Sequence, residues 1–475
     1  MSAKIKFGTD GWRGIIADDF TGTNVRLVAQ ATMNYLKDSN VPGDSIVVIG
    51  YDNRAQGEYF ALETAKTAAQ NGFRPLLSKQ PCSSPAVSYL VKKHNAKGGV
   101  MITASHNPPS FNGFKIKAFY GGSGSPEIIS KVEQELTKLV DENTSFPPSS
   151  EFKDAVEYED FRPAFLGQVA SLVDLDRIID AGFTMIIDPM HGSGAGYLSS
   201  ILKDAGVKNV IEIRSERNPY FGGVNPEPII QNMGATFQAV LDHHADVALV
   251  TDGDADRVGA ADSRGRFVDS HRIFAVLLKH LCEQRQWTGD VVKTLSTTQL
   301  INKLAAKYGR KLYETPIGFK YICDLMLEKD ILIGGEESGG IGVKNHIPER
   351  DGVLMSLLLL EAMAFRGKKL EELIDEIMEE FGDHEYGRID LHPDPSKWDG
   401  IVAHVKEFQP KELAGQAVKE VSKVDGTKII FIDDSWLLLR PSGTEPVVRV
   451  YAEAPSRQRV NELLDAGQAT VNGVS

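Results

Sequence analysis

The chain has 475 residues, too many for one hydrophobic core, and its length corresponds to roughly three or four domains. With 42% hydrophobic and 25% charged residues it has the composition of an ordinary folded protein. Its net charge of −13 argues against nucleic acid or an anionic membrane as the main partner. No apolar run approaches the roughly 18 residues of a membrane span, and the opening "MSAKIKFGTDGWRG" has no apolar signal-peptide core. The three cysteines, Cys82, Cys282 and Cys323, are far apart and form no CxxC pair. A disulfide framework or zinc site is therefore not expected, and a reducing, cytoplasmic setting is.

In chain order, β-branched apolar runs alternate with helical spacing, as in α/β domains. Strands are expected at "SIVVIG" (45–50) and "GGVMIT" (98–103), then a helix over "PEIISKVEQELTKLV" (126–140). The Pro/Ser-rich "NTSFPPSSEF" (143–152) reads as a linker. Further strands are expected at "FTMIID" (183–188), "ADVALV" (245–250), "DVVKTL" (290–295) and "DILIG" (330–334). "VLMSLLLLEAMAF", interrupted by Glu361, reads as a buried helix, and "KKLEELIDEIMEEF" (368–381) as an amphipathic one. A second boundary is expected near Phe381-Gly382-Asp383. The tail "GTKIIFIDDSWLLLRPSGTEPVVRVYAEA" reads as antiparallel strands turning at Asp433-Asp434, so the last part is α+β.

Polar clusters follow three of the apolar runs: Ser105-His106 after "VMITA", Asp252 to Asp256 after "ALVT", and Glu336-Glu337-Ser338 after "ILIGG". Ligands of α/β sheets sit outside the carboxyl ends of the strands, so these loops are expected to build one site. "TDGDADR" places Asp252, Asp254 and Asp256 around only Gly253 and Ala255, and three anions so close call for a cation. Hard oxygen donors favour Mg²⁺ or Ca²⁺ over zinc. An EF-hand fails, because its glycine and glutamate places hold Arg257 and Ser263. The Ser442-Gly443-Thr444 turn beside Arg440 offers hydroxyls and N–H groups to an anion.

"DPMHGSGAGYLSSILKDAG" lacks the last glycine of a dinucleotide fingerprint and the lysine of a Walker loop, so it reads as strand-to-helix packing. No G-x-S-x-G elbow surrounds any serine. His243-His244 reads as a surface pair on a helix, and His346 in "KNHIPERDG" as structural.

"TASHNPPSFNGFKIK", "TDGDADR", "GGEESGG" and "RPSGTEP", in that order and after "FGTDGWRG", resemble the α-D-phosphohexomutases, the phosphoglucomutase and phosphomannomutase superfamily. The resemblance covers Phe7 to Glu453 and implies three related α/β domains with mixed sheets plus a smaller C-terminal α+β domain around a central cleft. The corresponding segments are 1–150 with the phosphoserine loop, 151–255 ending in the metal loop, 256–380 with the sugar-recognition loop, and 381–475 with the phosphate loop.

The resemblance further implies that Ser105 carries a phosphoryl group beside Mg²⁺, which Asp252, Asp254, Asp256 and the serine oxygen hold. Glu336 and Ser338 would bind hexose hydroxyls, with Gly318 and Lys320 also on the substrate. Arg440, Ser442, Gly443, Thr444 and Arg449 would hold the phosphate not being transferred. Arg13, His106, Lys115 and Arg257 would line the cleft, with Lys115 favoured over His106 as general base. These are the concentrated cations that an acidic protein needs to bind a phosphorylated sugar.

The expected activity interconverts glucose 1-phosphate and glucose 6-phosphate, with glucose 1,6-bisphosphate as intermediate or activator. "GEESGG" is more similar to glucomutase loops than to the "GEQSG" of phosphoglucosamine mutases. The alternatives are a phosphomannomutase or dual-specificity mutase, a glucose 1,6-bisphosphate synthase using fructose 1,6-bisphosphate or another bisphosphate, and a non-catalytic sugar-phosphate sensor. The sensor predicts an eroded serine or metal loop, and both are intact. A monomer or homodimer is expected.

Overall fold

The computed structural model describes residues 5–8, 10–37, 40–142, 144, 146, 151–443 and 446–473. It contains two compact units, Met1–Gly289 with Gly318–Leu373, and Asp290–Ile317 with Ile374–Ser475. The expected linker at 143–152 falls largely outside the described residues, and so does Thr444.

The first unit opens with a seven-stranded mixed sheet. Phe7–Gly8, Gly11–Ile15, Phe111–Ala118 and Ala96–Ile102 are neighbours in that order, each pair antiparallel. Asp44–Tyr51, Arg74–Ser78 and Glu157–Glu159 continue the sheet in parallel. The apolar run Val47–Ile49 is wholly buried, as expected for parallel strands covered on both faces. Helices Gly22–Lys37, Gly57–Gln70 and Pro126–Asp141 contribute to the core against it. The last of these starts where the sequence indicates: the Ser125 hydroxyl accepts from the Ile128 N–H, and Pro126 takes the first turn.

The two-residue period of Phe111–Ala118 decides what the sheet presents. Phe114, Ile116 and Ala118 enter the core, which turns Lys115 and Lys117 to the opposite face. Both lysines are nevertheless buried, so that face is covered and both need anionic partners.

A second sheet has the order Phe267–Val268, Val258–Asp262, Val247–Thr251, Met185–Asp188, Val210–Glu212. It too is antiparallel on one side and parallel on the other. The same unit holds the antiparallel pair Ile331–Gly335 and Ile341–Val343. The run around Glu361 is the helix Gly352–Arg366, capped by Asp351 and buried over most of its length. Glu361 is tolerated there because Arg285 lies 2.6 Å away.

In the second unit Asp290–Thr294 and Leu312–Thr315 pair in parallel. Six antiparallel strands follow in the order Glu385–Leu391, Val448–Ala454, Trp436–Pro441, Thr427–Phe431, Gln416–Ser422, Glu412–Leu413. The helix Arg457–Asn472 covers them, so this part is α+β as expected. The turn at Asp433-Asp434 is present, with Asp434 at φ 63° and the Asp433 carboxylate accepting from the Ser435 N–H. His243 and His244 are exposed but stand past the end of helix Gly234–Asp242, not within it. No disulfide joins the three cysteines, and no helix among the described residues is long and apolar enough to cross a membrane.

Candidate active site

Ser105 stands three residues beyond the strand Ala96–Ile102, buried, at a left-handed φ of 53°. A non-glycine residue keeps that conformation only where its surroundings impose it. Here a buried ion pair does so. Arg54 is completely buried, and its guanidinium donates to the carbonyls of Ser105 (2.7 Å), Asn107 (2.6 Å), Pro108 (2.7 Å) and Phe111 (3.0 Å). Asp52 pairs with Arg54 at 3.2 Å and accepts from the Thr103 hydroxyl at 2.6 Å; that hydroxyl in turn accepts from the Ser105 N–H at 2.8 Å. Burial raises the Asp52 carboxyl to about 6. Both sides of the serine backbone are thus tied to one Arg–Asp pair.

The Ser105 hydroxyl donates to Asp252 Oδ2 at 2.7 Å. Asp252 follows the buried strand Val247–Thr251, and its other oxygen accepts from the Asp256 and Arg257 N–H groups, which curls the loop. Ala255, at φ 59°, completes the turn. The curl brings one carboxylate oxygen each of Asp252, Asp254 and Asp256 within 4.8 Å of one another, all three residues buried. Gly253 is required by the close approach, because a Cβ built there would overlap the Ser105 carbonyl oxygen. The glycines of "HGSGAG" are explained by packing: a Cβ at Gly192 would come within 2.8 Å of the Asp252 carbonyl, and one at Gly194 within 2.8 Å of Thr251 Oγ1.

Lys115 answers part of this charge. Its ammonium lies 2.8 Å from Asp254, 2.8 Å from Asp10 and 3.1 Å from Asp256. Burial opposes the charged form, but these carboxylates outweigh it and hold the ammonium above the usual lysine range. Asp254 shows the converse: burial raises it, and the facing Lys115 ammonium prevails and holds it below the usual carboxylate range. Asp252, buried next to Asp254 and Asp256, is pushed well above it. One oxygen each of Asp254 and Asp256 is buried with no hydrogen-bond donor. Buried carboxylate oxygens without donors are costly, and hard oxygen donors in this number suit a divalent cation such as Mg²⁺.

The remaining cations close around the serine. Arg13 donates to the Asn107 side chain at 2.6 Å. Arg257 lies 3.5 Å from Glu227 and 4.0 Å from Asp256. His106 Nδ1 is 3.4 Å from the Ser105 hydroxyl, and burial, reinforced by Arg257 and Arg13, holds its imidazole well below the usual range and therefore neutral.

Glu336 directly follows the strand Ile331–Gly335 and is buried, which raises its carboxyl to about 7 against the opposing pull of Arg350. Gly339 donates to the Glu336 carbonyl, and its own carbonyl accepts from the Val258 N–H, so the Glu336–Gly340 loop docks next to the aspartate loop; Ser338 is half-buried there. Gly318, at φ 131°, precedes helix Phe319–Glu328, which carries the half-buried Lys320.

In the second unit Arg440 pairs with Asp425 at 2.9 Å, the Ser442 N–H donates to the Val447 carbonyl at 2.8 Å, and Arg449 lies 3.9 Å from Asp390. Ser105, His106, Lys115, Arg13, Arg257, Glu336 and the three aspartates therefore share the first unit, and Arg440, Ser442, Gly443 and Arg449 belong to the second.

Sequence reasoning missed Asp10, Asp52, Arg54, Glu349 and Arg350. Arg350 lies 2.6 Å from Asp10, 2.8 Å from Asp256 and 3.4 Å from Glu336. Glu349 accepts from Lys117 at 2.7 Å and Ser123 at 2.8 Å. The available signals were the density of charge in "PERDG" directly before an apolar helix and the place of Asp10 within "FGTDGWRG".

Four family models match the chain in order: phosphoglucomutase/phosphomannomutase α/β/α domain I over residues 4–143, domain II over 163–265, domain III over 269–381 and the C-terminal domain over 401–467. A phosphoglucomutase/phosphomannomutase of Thermococcus kodakarensis is 30% identical over 97% of both chains. A phosphoglucosamine mutase of Thermobifida fusca is also 30% identical, over 97% of this chain and 96% of that one. The solved structure of a Thermus thermophilus protein that bears the name putative phosphomannomutase superposes with a TM-score of 0.85, at 35% identity and full coverage of both chains. With a serine beside a tri-carboxylate cradle and all four domain models in sequence order, the chain belongs to the phosphoglucomutase/phosphomannomutase family of phosphohexose mutases.

Proposed function

We propose that the protein is a mutase that interconverts glucose 1-phosphate and glucose 6-phosphate through phospho-Ser105 and glucose 1,6-bisphosphate. The observation that carries this reading is the 2.7 Å contact between the Ser105 hydroxyl and one of three clustered, buried aspartates. Phosphoryl transfer needs little from the protein beyond in-line positioning and neutralised charge, and a serine locked by Arg54 meets the first need. Asp252, Asp254 and Asp256 would hold Mg²⁺, which when bound draws negative charge from a phosphoryl group.

The bound hexose phosphate offers its free hydroxyl to phospho-Ser105. The O–P bond to the serine breaks as the O–P bond to the sugar forms, and the hydroxyl proton leaves to a neighbouring base. Reversal from the other end of the bisphosphate restores the phosphoserine and releases the isomer. Of the two candidates for the proton traffic, burial keeps His106 neutral and free to accept, whereas the carboxylates around Lys115 keep it protonated, which disfavours the lysine as the general base. Arg13 and Arg257 supply positive charge next to the serine. Glu336 and Ser338 are assigned to the hexose hydroxyls, with Gly318 and Lys320 beside them. Arg440, Ser442, Gly443, Thr444 and Arg449 are assigned to the phosphate not in transit.

Glucose is preferred because Glu337 stands where the loop of phosphoglucosamine mutases carries glutamine. The 30% identity to relatives of both names does not separate these sugars. Product analysis on glucose 1-phosphate, mannose 1-phosphate and glucosamine 1-phosphate, with and without added glucose 1,6-bisphosphate, tests the assignment. The expected product is glucose 6-phosphate. Steady accumulation of glucose 1,6-bisphosphate from glucose 6-phosphate and fructose 1,6-bisphosphate would instead identify a bisphosphate synthase.

A further inference from the structure

One side chain meets three motifs that lie far apart in the sequence. The Arg350 guanidinium touches Asp10 of the N-terminal segment at 2.6 Å, Asp256 of the cation cradle at 2.8 Å and Glu336 of the sugar loop at 3.4 Å. Glu349 lies 3.6 Å from its Nε, and the Phe319 ring centroid is 5.6 Å from its central carbon. Arg350 is almost wholly buried, so these contacts are made away from competing water.

The backbone makes room for it. A Cβ at Gly340 would overlap Arg350 Cδ, lie 3.0 Å from its Cγ and come within 3.1 Å of Glu336 Oε2. The last glycine of "GGEESGG" therefore leaves passage for the arginine stem beside the glutamate. A planar fork with five N–H groups can serve several carboxylates in fixed directions, whereas a lysine ammonium is a point charge on a loose stem.

We propose that Arg350 is a positioning residue that acts through Glu336: it aims the sugar-recognition carboxylate and fixes it to Asp256, so that the sugar and the cation cradle share one frame. The proposal rests on the hexose-phosphate reading of the site given above. It differs from a purely structural role in one respect: the functional effect of losing Arg350 must depend on the presence of the Glu336 carboxylate.

A double-mutant cycle tests this, read both as glucose 6-phosphate affinity by calorimetry and as kcat/KM. Arg350→Met is expected to lower both by about 30-fold in the native background and by less than about threefold in Glu336→Gln, because interacting residues are non-additive. Gly340→Ala, which keeps every charge and displaces the arginine stem, is expected to show the same dependence on Glu336. It carries the test together with Arg350→Lys if Arg350→Met does not fold. Arg350→Lys is expected to melt near wild type and still lose about tenfold in kcat/KM, since one ammonium cannot reproduce the fork. Equal losses in both backgrounds, or no loss, would overturn the proposal. Wild-type protein that binds glucose 6-phosphate without isomerising it counts against the mutase reading alone, because the cycle on binding still stands. Wild-type protein that binds no hexose phosphate overturns both.

Discussion

Ser105, Gly253 and Asp252 form the smallest unit on which the proposed chemistry depends. The hydroxyl is useful only if its direction is set, and that direction follows from the left-handed backbone at 105 and the carbonyl packed against Gly253. Ser105→Ala removes the oxygen proposed to form the phosphate ester, and activity is expected to fall at least about 1,000-fold. Full activity in that variant, measured as glucose 6-phosphate formed, would rule out Ser105 as the phosphoryl carrier. Gly253→Ala tests position without touching a reactive group. Its added methyl must push the serine loop or the aspartate loop aside, and about an angstrom of displacement costs on the order of 100-fold in rate. A Gly253→Ala variant with wild-type kcat would show that the loops tolerate the shift.

Residues of this kind differ in how readable they are from sequence. The aspartate triad is legible because its members are nearly contiguous and a single loop brings them together. Arg350 and Asp10 are 340 positions apart, and neither has a neighbour that reveals the other. Arg54 lies in the plain stretch "GYDNR", and its importance comes from three carbonyls of a loop and one of the strand after it, all more than fifty residues away. Spacing reports local geometry, whereas buried ion pairs are made by the fold.

Among the elements, the loop from Thr103 to Ser110 depends on a residue outside it. It has no regular ladder of its own, so the carbonyls of Ser105 and Asn107 rely on Arg54. Arg54→Met would remove the side-chain donor from the Ser105 and Asn107 carbonyls and leave Asp52 without its cation. Breaking a buried pair in this way costs about 3–5 kcal/mol. The melting temperature is expected to drop, with kcat falling further than the stability loss explains; an unchanged kcat in the folded fraction would separate the clamp from catalysis.

The strands that the sequence reveals are the long buried ones, where apolar β-branched runs dominate. Phe7–Gly8, Glu157–Glu159 and Val210–Glu212 are too short for a period to register, and their pairing is decided by the sheet edge they meet. The Lys115–Lys117 face is hidden for a similar reason. Alternating Phe, Lys, Ile, Lys reads as a strand with one wet side, but partners from distant segments cover that side.

At the scale of the whole molecule, a net charge of −13 coexists with a first unit whose buried cations, Arg54, Lys115, Arg257 and Arg350, gather around the serine and the aspartates. The second unit has its own charge problem. Lys293 and Lys428 are both buried and share Glu314, at 3.4 Å and 3.3 Å. Burial, with Lys428 adding repulsion, lowers the Lys293 ammonium to about 7 from the ordinary 10.5. Between those values the unfolded chain binds more protons than the folded one, so this group makes stability rise with pH across that window. Melting temperatures of wild type and Lys293→Met at pH 7 and pH 9 check this: the wild type should gain more on going to pH 9. Equal gains would show that Lys293 is protonated throughout.

The 2.7 Å bond from Ser105 to Asp252 has a consequence for the proposed reaction cycle. Esterification would consume the hydrogen that this contact uses and set a dianion against the aspartate cluster. Two unit charges at about 4 Å in such surroundings repel by about 4 kcal/mol. In that proposed cycle the esterified enzyme would have more to gain from a divalent ion held by Asp252, Asp254 and Asp256 than the free enzyme, and by reciprocity ion binding would favour the ester. Chelation would then favour the hydroxyl form, and the two occupancies would titrate as a linked pair.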